Sequence, residues 1–163
     1  MSVQNKILDL KKLKAKIALL KKQGKEIAFT NGCFDLIHYG HVDYLEKAKK
    51  GNRALIVGLN SDSSVRRLKG SARPIVNQKA RAHVMAALAC VDFVIVFNEE
   101  TPLNLIKSIK PDVLIKGADW KGKKVAGADV VVKNKGKLQF IRYIPGFSTT
   151  QIIGKIIKSC ASR

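Results

Sequence analysis

Apolar positions along the chain recur at two spacings that alternate from one end to the other. In residues 6–22, Leu10, Leu13, Ile17 and Leu20 fall at steps of three and four with lysines between them. That predicts an amphipathic helix stopped at Gly24. IAFTN (27–31) predicts a short buried strand and HVDYLEKAKK (41–50) a helix ended by Gly51 and Asn52. ALIVGLN (54–60) is apolar on both faces, as in a parallel strand covered by helices on two sides. Residues 62–68 predict a short helix, KGSARPIVN (69–77) a loop broken by Gly70 and Pro74, and QKARAHVMAALAC (78–90) a helix. DFVIVF (92–97) reads as a third strand and DVLIKG (112–117) as a fourth. Between them TPLNLIKSI (101–109) reads as a helix with Thr101 as N-cap and Pro102 at its first position. Residues 120–129 are rich in glycine and lysine and show no period. VVVKN and KLQFIRYI, within 130–143, predict one or two strands. Ser148 starts a last helix with Ile152, Ile153, Ile156 and Ile157 on its inner face.

Strands alternating with helices predict an α/β fold, a three-layer Rossmann-like domain with a mainly parallel sheet and right-handed crossovers. Such folds bind ligands beyond the C-terminal ends of their strands. No repeat or linker interrupts the pattern, so residues 1–163 are expected to form a single domain, with the basic helix of residues 1–25 packed on it.

Composition narrows the class. A hydrophobic fraction of 46% fits a globular chain. No apolar run approaches the ~18 residues of a membrane span. The first residues, MSVQNKILDLKKLKAK, carry lysines and no secretory apolar segment. Cys33, Cys90 and Cys160 are odd in number and far apart, matching neither a disulfide framework nor a zinc spacing. A reduced, cytoplasmic protein is expected. The net charge is +19, and residues 1–25 and 116–142 together supply 13 of those charges. No RRM-like aromatic run, basic region with heptads or zinc finger accompanies them. A solvated lysine-rich surface that also attracts anionic nucleotides is the simpler reading. A basic nucleic-acid-binding module on the same fold is the alternative from another class.

The residues able to do chemistry fall where strands emit their loops. His38 and His41 follow the first strand, Asn60, Ser61 and Asp62 the second, and Lys116, Gly117 and Asp119 the fourth. Gly146 to Thr150 open the last helix. His41 stands in the first turn of a helix, and Gly40 leaves the backbone open to close approach. Free N–H groups and the partial positive charge of a helix N-terminus suit phosphate, and two imidazoles beside it can donate to phosphoryl oxygens. The same residues would equally serve as loop and cap histidines. Cys33 reads as a small packed residue rather than a nucleophile, and His83, within a helix, as a structural or surface residue.

These residues also carry a resemblance. GCFDLIHYGH resembles the signature of the HxGH nucleotidyltransferases of the cytidylyltransferase-like superfamily. GFSTT (146–150), about 110 residues later, resembles their second hallmark. From Glu26 to Ile157 the chain is similar to the adenylyltransferase domain of bacterial ADP-heptose synthesis, through VGLNSDSSVRRLKG, ARPIVNQKAR, the VDFVIVFNEETPLNLIKSIKPDVLIKGADW block and FSTTQII. That activity joins D-glycero-D-manno-heptose 1-phosphate to ATP, releasing pyrophosphate.

The resemblance implies roles. His38, His41 and Lys69 would act on the phosphates and the transition state. Cys33, Phe34, Asp35, Gly40, Lys116, Gly117, Asp119, Ser148, Thr149 and Thr150 would hold the nucleotide, with Trp120 beside its base. Asn60, Asp62, Arg73 and Arg81 would hold the sugar phosphate. Mg²⁺ would come bound through the ATP phosphates, near Asp35, with no direct protein ligand. The partners implied are ATP and a sugar 1-phosphate, with no obligate nucleic acid and no membrane. A homodimer or larger assembly and a separate upstream kinase are implied too; this chain would then be the stand-alone form of a domain that is often fused to a sugar kinase. Related glycerol 3-phosphate cytidylyltransferases carry an Arg-Thr pair before their second hallmark. Here Tyr143, Ile144 and Pro145 stand instead, which favours the heptose branch and leaves the nucleobase open.

Overall fold

The computed structural model describes residues 2–161. Five strands form one all-parallel sheet in the order β3-β2-β1-β4-β5. They are β1 (Glu26–Gly32), β2 (Arg53–Asn60), β3 (Phe93–Phe97), β4 (Val113–Gly117) and β5 (Lys137–Ile141). Among the described residues seven α-helices surround them: α1 (Leu10–Lys22), α2 (Tyr39–Ala48), α3 (Asp62–Lys69), α4 (Gln78–Ala87), α5 (Leu103–Ile109), α6 (Ala128–Lys133) and α7 (Thr149–Ala161).

Period-two alternation sorts each strand's side chains between two cores. Ala54 and Ile56 of β2 join Ile27, Phe29 and Leu114 on one face, under Leu13 and Ile17 of α1, Leu105, Ile106 and Ile109 of α5, and Val131 of α6. Leu55, Val57 and Leu59 join Ala28, Val113 and Ile115 on the other, under Tyr44, Leu45 and Ala48 of α2 and Ala82, Met85 and Ala86 of α4. Each such aliphatic side chain, fully buried, contributes roughly 1.5–3 kcal/mol of transfer free energy. The three-layer α/β fold expected from the alternation is the one observed.

Departures from the expected elements have local causes. The first helix begins at Leu10 rather than residue 6. Asp9 accepts from the Lys12 N–H at 2.8 Å and caps the helix there. The residues before it are drawn to the sheet: Ile7 bridges Val94 of β3, and the Leu8 N–H donates to the Val94 carbonyl at 2.9 Å. The fourth helix ends at Ala87 rather than 90, with Leu88 extended. Lys6 Nζ takes the carbonyls of Leu88 and Val91 at 3.2 and 2.8 Å. Pro102, not Thr101, occupies the N-cap position of α5. Of the one or two strands expected from VVVKN and KLQFIRYI, one forms, and VVVKN falls at helix α6, entered through Gly127 at φ +83°. A Cβ on Gly127 would lie 2.7 Å from Ile106 Cδ1, so only glycine lets α6 close on α5 and bury Val131. Packing here overrides the β preference of three valines. Only KLQFI of the 130–143 stretch is strand. The inner face expected for α7 is half realised: Ile152 and Ile153 are half-buried, while Ile156 and Ile157 are 53% and 62% exposed.

One device recurs at the strand starts. Asp112, before β4, accepts the Ile27 N–H at 2.8 Å and Lys21 Nζ at 3.1 Å. Asp92, before β3, accepts the Leu55 N–H at 2.6 Å and Lys49 Nζ. Each carboxylate satisfies a strand N–H that the parallel ladder leaves over. Replacing Asp112 by Ala is therefore expected to lower stability by about 1–3 kcal/mol, the cost of an unsatisfied buried donor. Chemical denaturation reads this, and turnover at permissive temperature should stay unchanged because Asp112 lies at the opposite edge of the sheet from the site.

Candidate active site

Parallel strands all deliver their C-terminal ends to one edge. A cavity of about 650 Å³ opens there, and β1 ends beneath its middle. In the sheet, β2 and β3 lie to one side of β1, and β4 and β5 to the other. The crossovers reverse direction at β1, so the cavity sits at the topological switch point.

At the centre, Phe34 adopts a left-handed φ of +43°, an uncommon conformation for a large side chain. It folds its ring back over Gly32 and edge-on to His41 at 5.3 Å. His38 occupies the N-cap position of α2 without using its side chain as a cap, and His41 is the third residue of the helix. The two imidazoles stack at 3.8 Å between centroids and 21° between planes. Nδ1 of each is buried with no hydrogen-bond partner within the protein. Burial lowers the pKa of His38, and burial followed by repulsion from His38 lowers that of His41 to about 4. Both rings are therefore uncharged at neutral pH, each with one donor and one acceptor nitrogen. Against the start of α2, Ser148 caps α7, its Oγ accepting from the Gln151 N–H at 3.1 Å, and Thr149 Oγ1 lies 3.5 Å from the Leu36 carbonyl. Two helix N-termini thus flank one space.

On the β4–β5 side, Lys116 is buried, with Nζ 2.5 Å from Asn31 Oδ1 and 5.1 Å from the Trp120 ring centre. Burial, partly offset by Asp119, lowers its pKa to about 8, so it carries its charge at pH 7. Gly117 is required by contact: a Cβ there would fall 2.0 Å from the Tyr143 hydroxyl. Tyr143 in turn leans on Tyr44 at 5.8 Å, and burial followed by the neighbouring Asp119 pushes its pKa up to about 12.

The structure divides the expected site residues into two groups. Cys33, Phe34, His38, His41, Asn60, Lys69, Lys116, Gly117, Ser148 and Thr149 line the cavity, and so does Trp120. Asp35, Gly40, Asp62, Arg73, Arg81, Asp119 and Thr150 do not. Asp35 is buried and accepts from the N–H groups of Ile75 and Val76 and from Arg73 Nε at 2.6 Å. Burial alone would raise its pKa; those donors outweigh burial and hold it below the ordinary range. Arg81, expected to meet the sugar phosphate, is 1% exposed and donates to the carbonyls of Val76 and Cys33 and to Asp62 Oδ1 at 2.8, 2.5 and 2.7 Å. Asp62, Arg73 and Arg81 therefore form the frame behind the site, tying the Cys33–Asp35 turn to the 73–76 loop and to α3. Asp35 is part of the same frame rather than a group free to face a metal. Gly40 serves its own neighbours, since a Cβ there would lie 3.2 Å from both His38 Nδ1 and Phe147 Cβ. Asp119 stands behind Tyr143 and Lys116, and Thr150 is exposed. Among the described residues no group of three or more His, Cys, Asp or Glu side chains is placed to hold a metal. Burial raises the pKa of Cys33, as expected of a packed thiol.

Sequence reasoning missed Asn31, Tyr44, Leu68, Glu100, Thr101, Tyr143 and Phe147 as cavity residues. Glu100 and Thr101, in the loop that follows β3, were legible in principle: they come after a strand end on the same sheet edge. The aromatic residues carried no such signal.

The match to known proteins agrees with this geometry. Residues 29–158 fit the family model described as cytidylyltransferase-like. The chain belongs to that family of nucleotidyltransferases. It is 51% identical over 154 residues to "Bifunctional protein HldE" of Geobacter sulfurreducens, covering 94% of this chain and 31% of that protein. It is 54% identical over 155 residues to the protein of the same name from Campylobacter jejuni subsp. jejuni serotype O:6, covering 93% of this chain and 33% of that protein. The chain thus spans about a third of the length of these curated relatives. A lipopolysaccharide core biosynthesis protein from Thermoplasma volcanium, of known crystal structure, superposes with a TM-score of 0.60 at 26% identity, over 73% of this chain and 96% of that one. No described helix is long and apolar enough to cross a membrane.

Two outcomes follow from the frame and the histidines. Arg81→Met leaves Asp62 and two carbonyls unpaired in the interior and should cost about 3–5 kcal/mol of stability, read as a large fall in Tm. His41 binds its proton more weakly folded (pKa about 4) than unfolded (6.5). Between these values the unfolded chain holds more protons, so stability rises with pH across pH 4–6.5 and is lost on acidification. The shift corresponds to about 2–3 kcal/mol after discounting for partial exposure. Urea titrations at pH 4.5 and 7 should show this slope in the native protein and a shallower one in His41→Gln.

Proposed function

We propose that the protein transfers the adenylyl group of ATP to a sugar 1-phosphate, D-glycero-D-manno-heptose 1-phosphate, giving ADP-heptose and pyrophosphate. The observation that carries the reading is the stacked His38–His41 pair, with uncommitted nitrogens at one helix N-terminus and a second helix N-terminus lining the same cavity beside it. Supporting the heptose substrate are the similarity of the chain from Glu26 to Ile157 to adenylyltransferase domains of ADP-heptose synthesis and the likeness to a lipopolysaccharide core biosynthesis protein.

An oxygen of the acceptor phosphate attacks the α-phosphorus in line. One P–O bond forms as the bond to the bridging oxygen of pyrophosphate breaks. The attacking oxygen is already ionised at pH 7, so no base is needed and no covalent enzyme intermediate forms. The chain's task is to hold two polyanions together and to place donors where charge develops. His38 and His41 donate to phosphoryl oxygens, Lys69 and Lys116 neutralise charge from opposite sides, and the N-termini of α2 and α7 add oriented N–H groups. Magnesium in this reading arrives as part of the nucleotide, held by its phosphates. Among the described residues no group of three or more His, Cys, Asp or Glu side chains is placed to hold it, and Asp35 is committed to the 73–76 loop.

The test is pyrophosphate release with heptose 1-phosphate and each of ATP, CTP and GTP. ATP should be strongly preferred; equal or better turnover with CTP overturns the adenylyl assignment and favours a cytidylyltransferase. His38→Ala and His41→Ala should each lower kcat by about 10²–10³-fold, the effect of removing one preorganised donor. Normal turnover by both variants removes the imidazoles from the chemistry.

A further inference from the structure

Seven of the twelve acidic side chains are held in ion pairs among the described residues. Glu100 is not one of them, yet it lines the cavity and is the only acidic side chain that does so among the described residues. A bare carboxylate in the wall of a site built for polyanions repels its ligands. Its position is nonetheless enforced. The two preceding residues are fastened to α3: Ser61 and Ser63 donate to Asn98 Oδ1, Arg67 donates to the Asn98 carbonyl, and Ser64 Oγ donates to the Glu99 carbonyl at 2.9 Å. Glu99 turns back onto the Asn98 N–H at 3.1 Å. The loop therefore presents Glu100 to the cavity from a fixed base.

Its neighbours in the wall complete a chemical pattern. Asn60 is buried and its amide is oriented by donation to Ser64 Oγ at 2.9 Å. Leu68 and Pro102 give apolar surface, and Lys69 gives the cation. An acceptor-only carboxylate, an amide, an apolar wall and one ammonium suit a ligand with several hydroxyls, C–H faces and a single phosphate. All of these lie on the β2–β3 side of β1, away from Lys116, Trp120 and Tyr143.

We propose that Glu100 is the residue that selects a polyhydroxylated acceptor phosphate, by accepting hydrogen bonds from its hydroxyls in the β2–β3 half of the cavity. Lys69 holds the phosphate end, Leu68 and Pro102 flank the carbon skeleton, and the nucleotide occupies the β4–β5 half. This rests on the nucleotidyltransferase reading above and adds to it the group that reads the sugar.

The experiment is steady-state pyrophosphate release by the full chain and by Glu100→Gln, with D-glycero-D-manno-heptose 1-phosphate and with an alkyl phosphate that keeps the phosphate but lacks hydroxyls. Thermal melting first checks that the exposed substitution leaves the fold intact. Glu100→Gln should raise KM for the heptose phosphate about tenfold or more, the size of one charge-assisted hydrogen bond, and leave KM for ATP unchanged. The native preference for the sugar phosphate over the alkyl phosphate should shrink by the same factor. An unchanged KM for the heptose phosphate overturns the subsite and leaves the enzymatic reading standing. So does an effect confined to the Mg²⁺ concentration needed for activity, which would assign the carboxylate to a cation. No pyrophosphate from the native chain with any nucleotide and sugar phosphate overturns the enzymatic reading and the subsite together.

Discussion

Everything at the site depends on the pairing of β1 between two parallel neighbours. Seven consecutive residues, Glu26 to Gly32, run in register with Arg53 to Leu59, and Ala28 and Phe29 pair with Val113 and Leu114 on the other side. Parallel pairing forces each connection to return over a face of the sheet through a helix, and so brings every strand end to the same edge. The histidine turn, the end of β2 and the end of β4 meet because the ladder leaves them nowhere else to go. A one-residue slip of β1 would exchange its two faces, drawing Phe29 and Ala28 out of their respective cores.

A division of labour among the charges follows. In a chain of net charge +19, cations are abundant, but the guanidinium groups nearest the site do not face it. Arg73 and Arg81 are spent on Asp35, Asp62 and loop carbonyls, where planar donors in a fixed fork can satisfy several acceptors at once. That frame holds the left-handed turn at Phe34. The cavity is left with lysines and neutral imidazoles. Lys116 keeps its charge only against the cost of burial, in a position where an arriving anion reverses that cost.

How far the sequence disclosed this depended on the kind of signal. Strands β1 to β4 were readable because a parallel sheet covered on both faces leaves unbroken apolar runs, and the helices between them kept a clear period. α6 was not, because three successive valines advertise a strand and only the contact of Gly127 with Ile106 says otherwise. The histidines, Lys116 and the α7 start were readable from their place after strands. Arg81, expected to meet the sugar phosphate, turns inward, and nothing in QKAR distinguishes a guanidinium facing a ligand from one directed to Cys33 and Asp62. Tyr143 and Phe147 were missed because aromatic residues in an aperiodic loop carry no trace of the wall they complete.

The low basicity of His41 also sets how the pair would hold a phosphate compound. A pair of imidazolium ions would grip any phosphate compound, a product as firmly as a substrate. Uncharged rings offer directed N–H donors with far less long-range attraction. Their hold weakens as soon as the geometry that matched them is gone. In the proposed reaction an unprotonated pair would therefore let a phosphate product go more readily than a charged pair would.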